Sequence, residues 1–106
     1  MRRDKDRYSP PEWVSSKQQG ETLADDLQLL LGDLCRQWGF CSALAHDMLA
    51  ESGALTPDSF ARAVLIAEGW PEDDLPWDWR ETMTKVFDAR YGPSISTTDY
   101  DKRLHR

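Results

Sequence analysis

The sequence predicts an all-α fold, a small bundle of about four helices with flexible termini, and three observations carry that prediction. Apolar residues recur at three- and four-residue steps in four separate stretches, which is the helical period. Start and stop signals built from Thr, Asp, Pro and Gly fall between those stretches. At 106 residues, with 40 % hydrophobic residues and five tryptophans, the chain has room for one domain and enough apolar surface for one core.

Residues 1–20 are expected to be a flexible arm. Charges alternate around Ser9-Pro10-Pro11 and Ser15-Ser16-Lys17-Gln18-Gln19-Gly20, so little apolar surface is available to offset the ordering entropy. Only Trp13 and Val14 break that pattern. Residues 21–92 form the helical domain. Its first helix runs from Thr22 to Trp38: Thr22 with Asp25 is a variant of the capping box, and Leu23, Leu27, Leu30, Leu34 and Trp38 line one face. Leu29, Leu31 and Cys35 widen that face, so the helix is contacted on more than one side, by its own bundle or by a second chain. Gly39 closes it and Phe40 marks the corner.

A second helix spans Ser42 to Ser52, with Leu44, Ala45, Met48 and Leu49 inward and His46 and Asp47 outward or sideways. Gly53 is its stop signal, and Thr56-Pro57-Asp58 starts the third helix, Pro57 to Glu68. Phe60, Ala61, Val64, Leu65 and Ala67 make that helix the most buried of the set. A fourth helix is capped by Asp78, with Glu81 three residues on, and presents Trp79, Met83, Val86, Phe87 and Tyr91 before Gly92-Pro93 stops it. Residues 93–106 read as a partly ordered tail with a frayed end. The expected core is Leu27, Leu30, Leu34, Leu44, Met48, Phe60, Val64, Leu65, Met83, Val86 and Phe87.

The chemistry-bearing residues are sparse. The sequence contains no phosphate loop, nucleophile elbow or paired helix-borne histidines, and carboxylate pairs such as Asp25-Asp26 carry little weight in so acidic a chain. No catalytic residue, cofactor or metal site is therefore assigned, and an enzyme acting alone is not expected. Cys35 and Cys41 read as buried free thiols, a disulfide being set aside because it would need a secreted setting that nothing in the sequence suggests; a zinc site made with His46 would lack a fourth ligand. No apolar run nears the roughly 20 residues needed to span a bilayer, and the charged start is not followed by a signal-peptide core, so a cytoplasmic location is expected. Between residues 21 and 92 five basic residues face fourteen acidic ones, a net of −9 within a whole-chain charge of −6. Such a body disfavours nucleic acid and favours basic or polar partners.

The stretch Trp70-Pro71-Glu72-Asp73-Asp74-Leu75-Pro76-Trp77-Asp78-Trp79 is the candidate partner-binding site, through Trp70, Glu72, Asp73, Asp74, Trp77 and Trp79. Two prolines prevent a continuous helix there, and tryptophan is enriched at interface hot spots. The expected function is a non-catalytic protein-binding module: an accessory, regulatory or small structural subunit that binds another chain, with a homodimer through the first helix as a second arrangement. The alternative is a helix-turn-helix regulator that binds or mimics DNA, since the second and third helices flank a short turn.

The run Trp38, Phe40, Ala43-Leu44, Leu49, Gly53, Thr56 and Phe60, then an aromatic cluster, a helix from Trp79 and Gly92-x-x-Ile95-Ser96, resembles the N-terminal helical domain of the nitrile hydratase β subunit and its accessory proteins. The likeness spans about residues 37–103. It implies a subunit or helper that embraces a metal-bearing catalytic chain. The family's proline-tryptophan-glutamate start is Gln37-Trp38-Gly39 here, and its paired tyrosines are replaced by Trp77-Asp78-Trp79.

Overall fold

The computed structural model describes residues 19–52 and 54–104, and among them five helices and one two-stranded ladder. Helix α1 (Leu23–Trp38) starts where Thr22, in extended backbone, accepts the Asp25 amide on its hydroxyl at 3.1 Å. It stops where Gly39 turns to φ 83°, a left-handed conformation that glycine adopts without a Cβ clash. Leu23, Leu27, Leu30 and Leu34 are buried along one face, as the leucine period predicts. The expected arm lies outside the described residues except for its last two. Gly20 packs so tightly under α1 that a Cβ there would fall 2.3 Å from the Asp26 nitrogen.

Cys35 and Cys41 are not free thiols. They form a disulfide across the Gly39 corner, which brings their Cα atoms to 4.4 Å. The expectation of free thiols rests on the absence of a secretory signal, whereas the left-handed Gly39 folds the chain back so that the two sulfurs meet. Closing this short loop, with a sequence separation of 6, is expected to stabilise the fold by about 2 kcal/mol on the chain-entropy estimate. A free-thiol count in denaturant, together with melting temperatures before and after reduction, checks that; two titratable thiols before reduction would show the bridge unformed.

Helix α2 (Leu44–Ala50) is shorter than the Ser42 to Ser52 span expected. Ala45 and Leu49 point inward at an i, i+4 spacing, and Leu44, one residue off that stripe, is 51 % exposed instead of in the core. Met48 is only partly buried. The Ser42 amide donates to the Glu68 carboxylate at 3.0 Å, tying the start of α2 to the end of the next helix.

Strand β1 (Ala54–Leu55) leads into α3 (Pro57–Ala67), whose N-terminus carries a reciprocal capping box between Thr56 and Ser59. Phe60, Ala61, Ala63, Val64 and Leu65 are buried, and α3 packs most extensively on α4 (Trp77–Tyr91). That helix begins one residue before the expected Asp78 cap. Pro76 takes the cap position, because its fixed φ suits a helix start, and Asp78 lies inside the first turn with its carboxylate accepting the Trp79 amide at 2.9 Å. Met83, Val86, Phe87 and Tyr91 form the inward face.

The tail is more structured than expected. Strand β2 (Ile95–Ser96) pairs antiparallel with β1, Leu55 opposite Ile95, and α5 (Thr97–Leu104) follows. Ile95 and Tyr100 are both buried. Those two anchors hold the segment to the body. No described helix is long and apolar enough to cross a membrane.

Candidate functional site

The segment between α3 and α4 forms an aromatic corner over the end of α1. Trp70 leaves α3 after Gly69, whose φ of 108° only glycine adopts readily, and Pro71 to Asp74 close a turn through the Asp74 amide and the Pro71 carbonyl at 3.0 Å. Trp79 stands edge-on to Trp38 at 5.6 Å between ring centroids and to Phe40 at 4.9 Å. Trp70 leans on the same Phe40 ring at 6.4 Å and remains 37 % exposed. Trp77 is 67 % exposed. The three tryptophans of this stretch therefore divide: Trp79 is set into the body, Trp70 lies half across its edge, and Trp77 projects from the first turn of α4.

The acidic residues of the stretch divide as well. Glu72 pairs with Arg62 of α3, and Arg62 also lies 3.8 Å from Asp58, which in turn holds Arg80 at 2.6 Å. Asp73 and Asp74 are exposed and have no cationic partner among the described residues. Trp70 and Trp79 thus share the Phe40 ring, whereas Trp77, two residues before Trp79 on α4, projects from a different side of that helix, and Asp73 and Asp74 lie exposed in the turn between them. No protein family, curated protein or solved structure matches this chain. The likeness to the nitrile hydratase β subunit rests on the residues that suggested it.

A second constellation was not expected from the sequence. Asp26, 1 % exposed, accepts Arg90 Nε on Oδ2 at 2.8 Å and Arg90 Nη2 on Oδ1 at 2.9 Å. The Tyr91 hydroxyl donates to Oδ2 at 2.6 Å and the Gly20 amide to Oδ1 at 3.0 Å. The Tyr100 hydroxyl lies 2.7 Å from the Gly20 carbonyl and 3.1 Å from Asp26 Oδ1, its single proton shared between them. One signal pointed here: Asp26 falls between Leu23, Leu27 and Leu30 on the apolar stripe of α1, where a lone carboxylate needs a buried cation. With both oxygens saturated, the group has no lone pair left to act as a base, and its role is to join α1, α4 and α5.

Burial alone would raise the Asp26 pKa, but the bonds from Arg90, Tyr91 and Gly20 outweigh it and hold the carboxyl below its ordinary value. Burial first, then the Asp26 charge and the bond to it, push Tyr100 up to about 12, and Tyr91 is raised by the same causes. The signs follow from linkage. The Asp26 contribution is present above the unfolded carboxylate value of about 3.9 and is lost as pH falls below it. The tyrosine contribution is complete below about pH 10 and is lost as pH rises toward about 12. Urea melts across the alkaline range should therefore show stability falling above about pH 10, with Tyr100→Phe flattening part of that fall; an alkaline limb unchanged in the variant would overturn the assignment.

His46 is not poised for chemistry. Its Nε2 donates to the Ala24 carbonyl at 3.0 Å, which turns the ring sideways against α1. It borders an open cleft of about 290 Å³ whose walls include Leu31, Phe40 and the disulfide. Both sulfurs are committed to that bond, so neither is available to a metal, and no cluster of metal-ligating side chains occurs among the described residues.

Proposed function

We propose that this chain is a non-catalytic protein-binding module, an accessory, regulatory or small structural subunit that docks on another chain through the corner of Trp70, Asp73, Asp74 and Trp77. The observation that carries the reading is the exposure of Trp77, 67 %, beside a Trp79 that the fold packs away. An indole left in water forfeits apolar burial that a partner surface recovers, and tryptophan is the residue most enriched among binding hot spots. Glu72, bound to Arg62, ties the turn to α3, and Trp79 packs on Trp38 and Phe40. A DNA reader is disfavoured by the same geometry, because the helix that would enter a groove is enclosed and its single arginine is held by Asp58 and Glu72. The double variant Trp70→Ala/Trp77→Ala should lose the native partner in a pull-down while keeping its helical circular dichroism. Retention of every partner by a folded double variant would remove the site assignment.

A further inference from the structure

We propose that the Cys35–Cys41 disulfide is a thiol-exchange site, at which a small thiol entering the adjoining cleft opens the bond and frees the Phe40 ring that Trp70 and Trp79 pack against. The site acts on the support of the aromatic corner and is independent of what that corner binds.

Access comes first. Cys41 is exposed and Cys35 half-buried, and both line the open cleft of about 290 Å³ together with Leu31, Gly32 and Phe40. That volume lies at the lower edge of the range for small-molecule sites, so the attacking thiol is a small one. Neither cysteine is among the buried core residues, and the loop that the bond closes is short, with a sequence separation of 6. Loop-closure entropy grows only with the logarithm of loop length, so opening this bond costs the fold little and leaves the leucine and aromatic core closed.

What the loop carries gives the bond its consequence. Between the two cysteines lie Trp38 and Phe40, the two rings that Trp79 meets edge-on, and Phe40 is also the ring beneath Trp70. Apart from the sulfurs, the turn is held by the Gly39 amide on the Cys35 carbonyl at 3.0 Å and by a longer bond from the Phe40 amide to the Leu34 carbonyl at 3.4 Å. Reduction therefore loosens the turn and its ring locally.

The exchange takes two thiols. A thiolate attacks Cys41 Sγ, the Cys35–Cys41 bond breaks with its electron pair on Cys35 Sγ, which takes a proton, and Cys41 keeps the incoming thiol as a mixed disulfide. A second thiolate attacks that adduct and releases Cys41 as a thiolate, which is protonated in turn. The two small thiols leave oxidised as one disulfide, and the protein disulfide is reduced to two thiols.

The test follows reduction of the full native chain by glutathione and by mercaptoethanol, quenched with an alkylating agent at intervals. The rate should rise in proportion to thiol concentration and stay constant in urea below the unfolding transition, and peptide mapping should find the mixed disulfide on Cys41. Gly32→Leu places a side chain in the cleft, where an added Cβ meets nothing nearer than Arg36 Nη1 at 3.7 Å. It should slow reduction severalfold without lowering the melting temperature, since leucine favours a helix interior over glycine. Once reduced, the chain should keep its helical circular dichroism, lose near-ultraviolet signal from the tryptophan cluster, and exchange the Gly39 and Phe40 amides up to about thirtyfold faster.

A rate that levels off with thiol and climbs with urea shows that the bond opens only on unfolding, and overturns the proposal. So does an adduct confined to Cys35, or a Gly32→Leu chain reduced as fast as the parent. A reduced chain whose near-ultraviolet spectrum and amide exchange match the oxidised one removes the link to Phe40. Cys35→Ala/Cys41→Ala should show the reduced spectrum with or without thiol, and a thiol-dependent change in that variant places the effect elsewhere and overturns the assignment.

Discussion

Asp26→Ala should destabilise the domain by about 3–5 kcal/mol, the range for removing one partner of a buried ion pair. The loss comes less from the missing attraction than from what stays behind. Arg90, almost as buried as Asp26 itself, would keep a guanidinium with two fewer acceptors, and the Tyr91 and Gly20 donors would lose theirs. Against a total stability of roughly 5–15 kcal/mol that is a large share, and it corresponds to a melting temperature lowered by well over ~10 °C. Asp26→Asn should lose less, because the amide oxygen still accepts, while Tyr91→Phe should cost about 1–3 kcal/mol for one unpaired bond. Urea denaturation of the three variants gives the order directly. A midpoint for Asp26→Ala close to the parent's would mean that the hub does not hold the helices together.

Phe87→Ala carries a loss of similar size by a different route, about 3–5 kcal/mol for a large aromatic truncated in a closed core. Phe87 is fully buried, with Phe60 of α3 at 5.5 Å and Tyr91 at 5.0 Å between ring centroids. The cavity would open between the two helices that share the most extensive packing and beside the tyrosine that serves Asp26. Because Tyr91 belongs to both arrangements, the double variant Asp26→Ala/Phe87→Ala should cost less than the sum of the single changes. Strict additivity in a double-mutant cycle would show the hub and the aromatic core to be independent.

The parts of the fold legible in the sequence are those with a long period. α1, α3 and α4 each repeat their apolar residues over three turns or more, and their buried faces follow that repeat. What failed is short or depends on distant residues. Each strand of the ladder is two residues long, too brief for an alternation to register. α5 is polar apart from Tyr100 and Leu104, and the burial of Tyr100 is decided by Gly20 and Asp26, residues at the far end of the chain. Leu44 shares a broad apolar arc with Ala45, Met48 and Leu49 but stands at its edge, about 100° from Ala45, and so short a helix buries only the middle of that arc. For the candidate corner, the sequence named three tryptophans without ranking them, and it is the packing of Trp79 on Trp38 and Phe40 that separates the ring held in the body from Trp77, which projects.

The Asp26 hub also sets an order on biosynthesis. Its side-chain partners in α4 and α5 lie 64, 65 and 74 residues further along the chain. On the ribosome α1 emerges before α4 and α5, with a carboxylate on its apolar stripe and its Arg90 partner not yet made, so water must keep that end of the helix solvated. Closure waits for Tyr100. The domain is therefore completed only once Tyr100 has emerged, and a chain released short of that residue should lack the contact that joins α5 to α1.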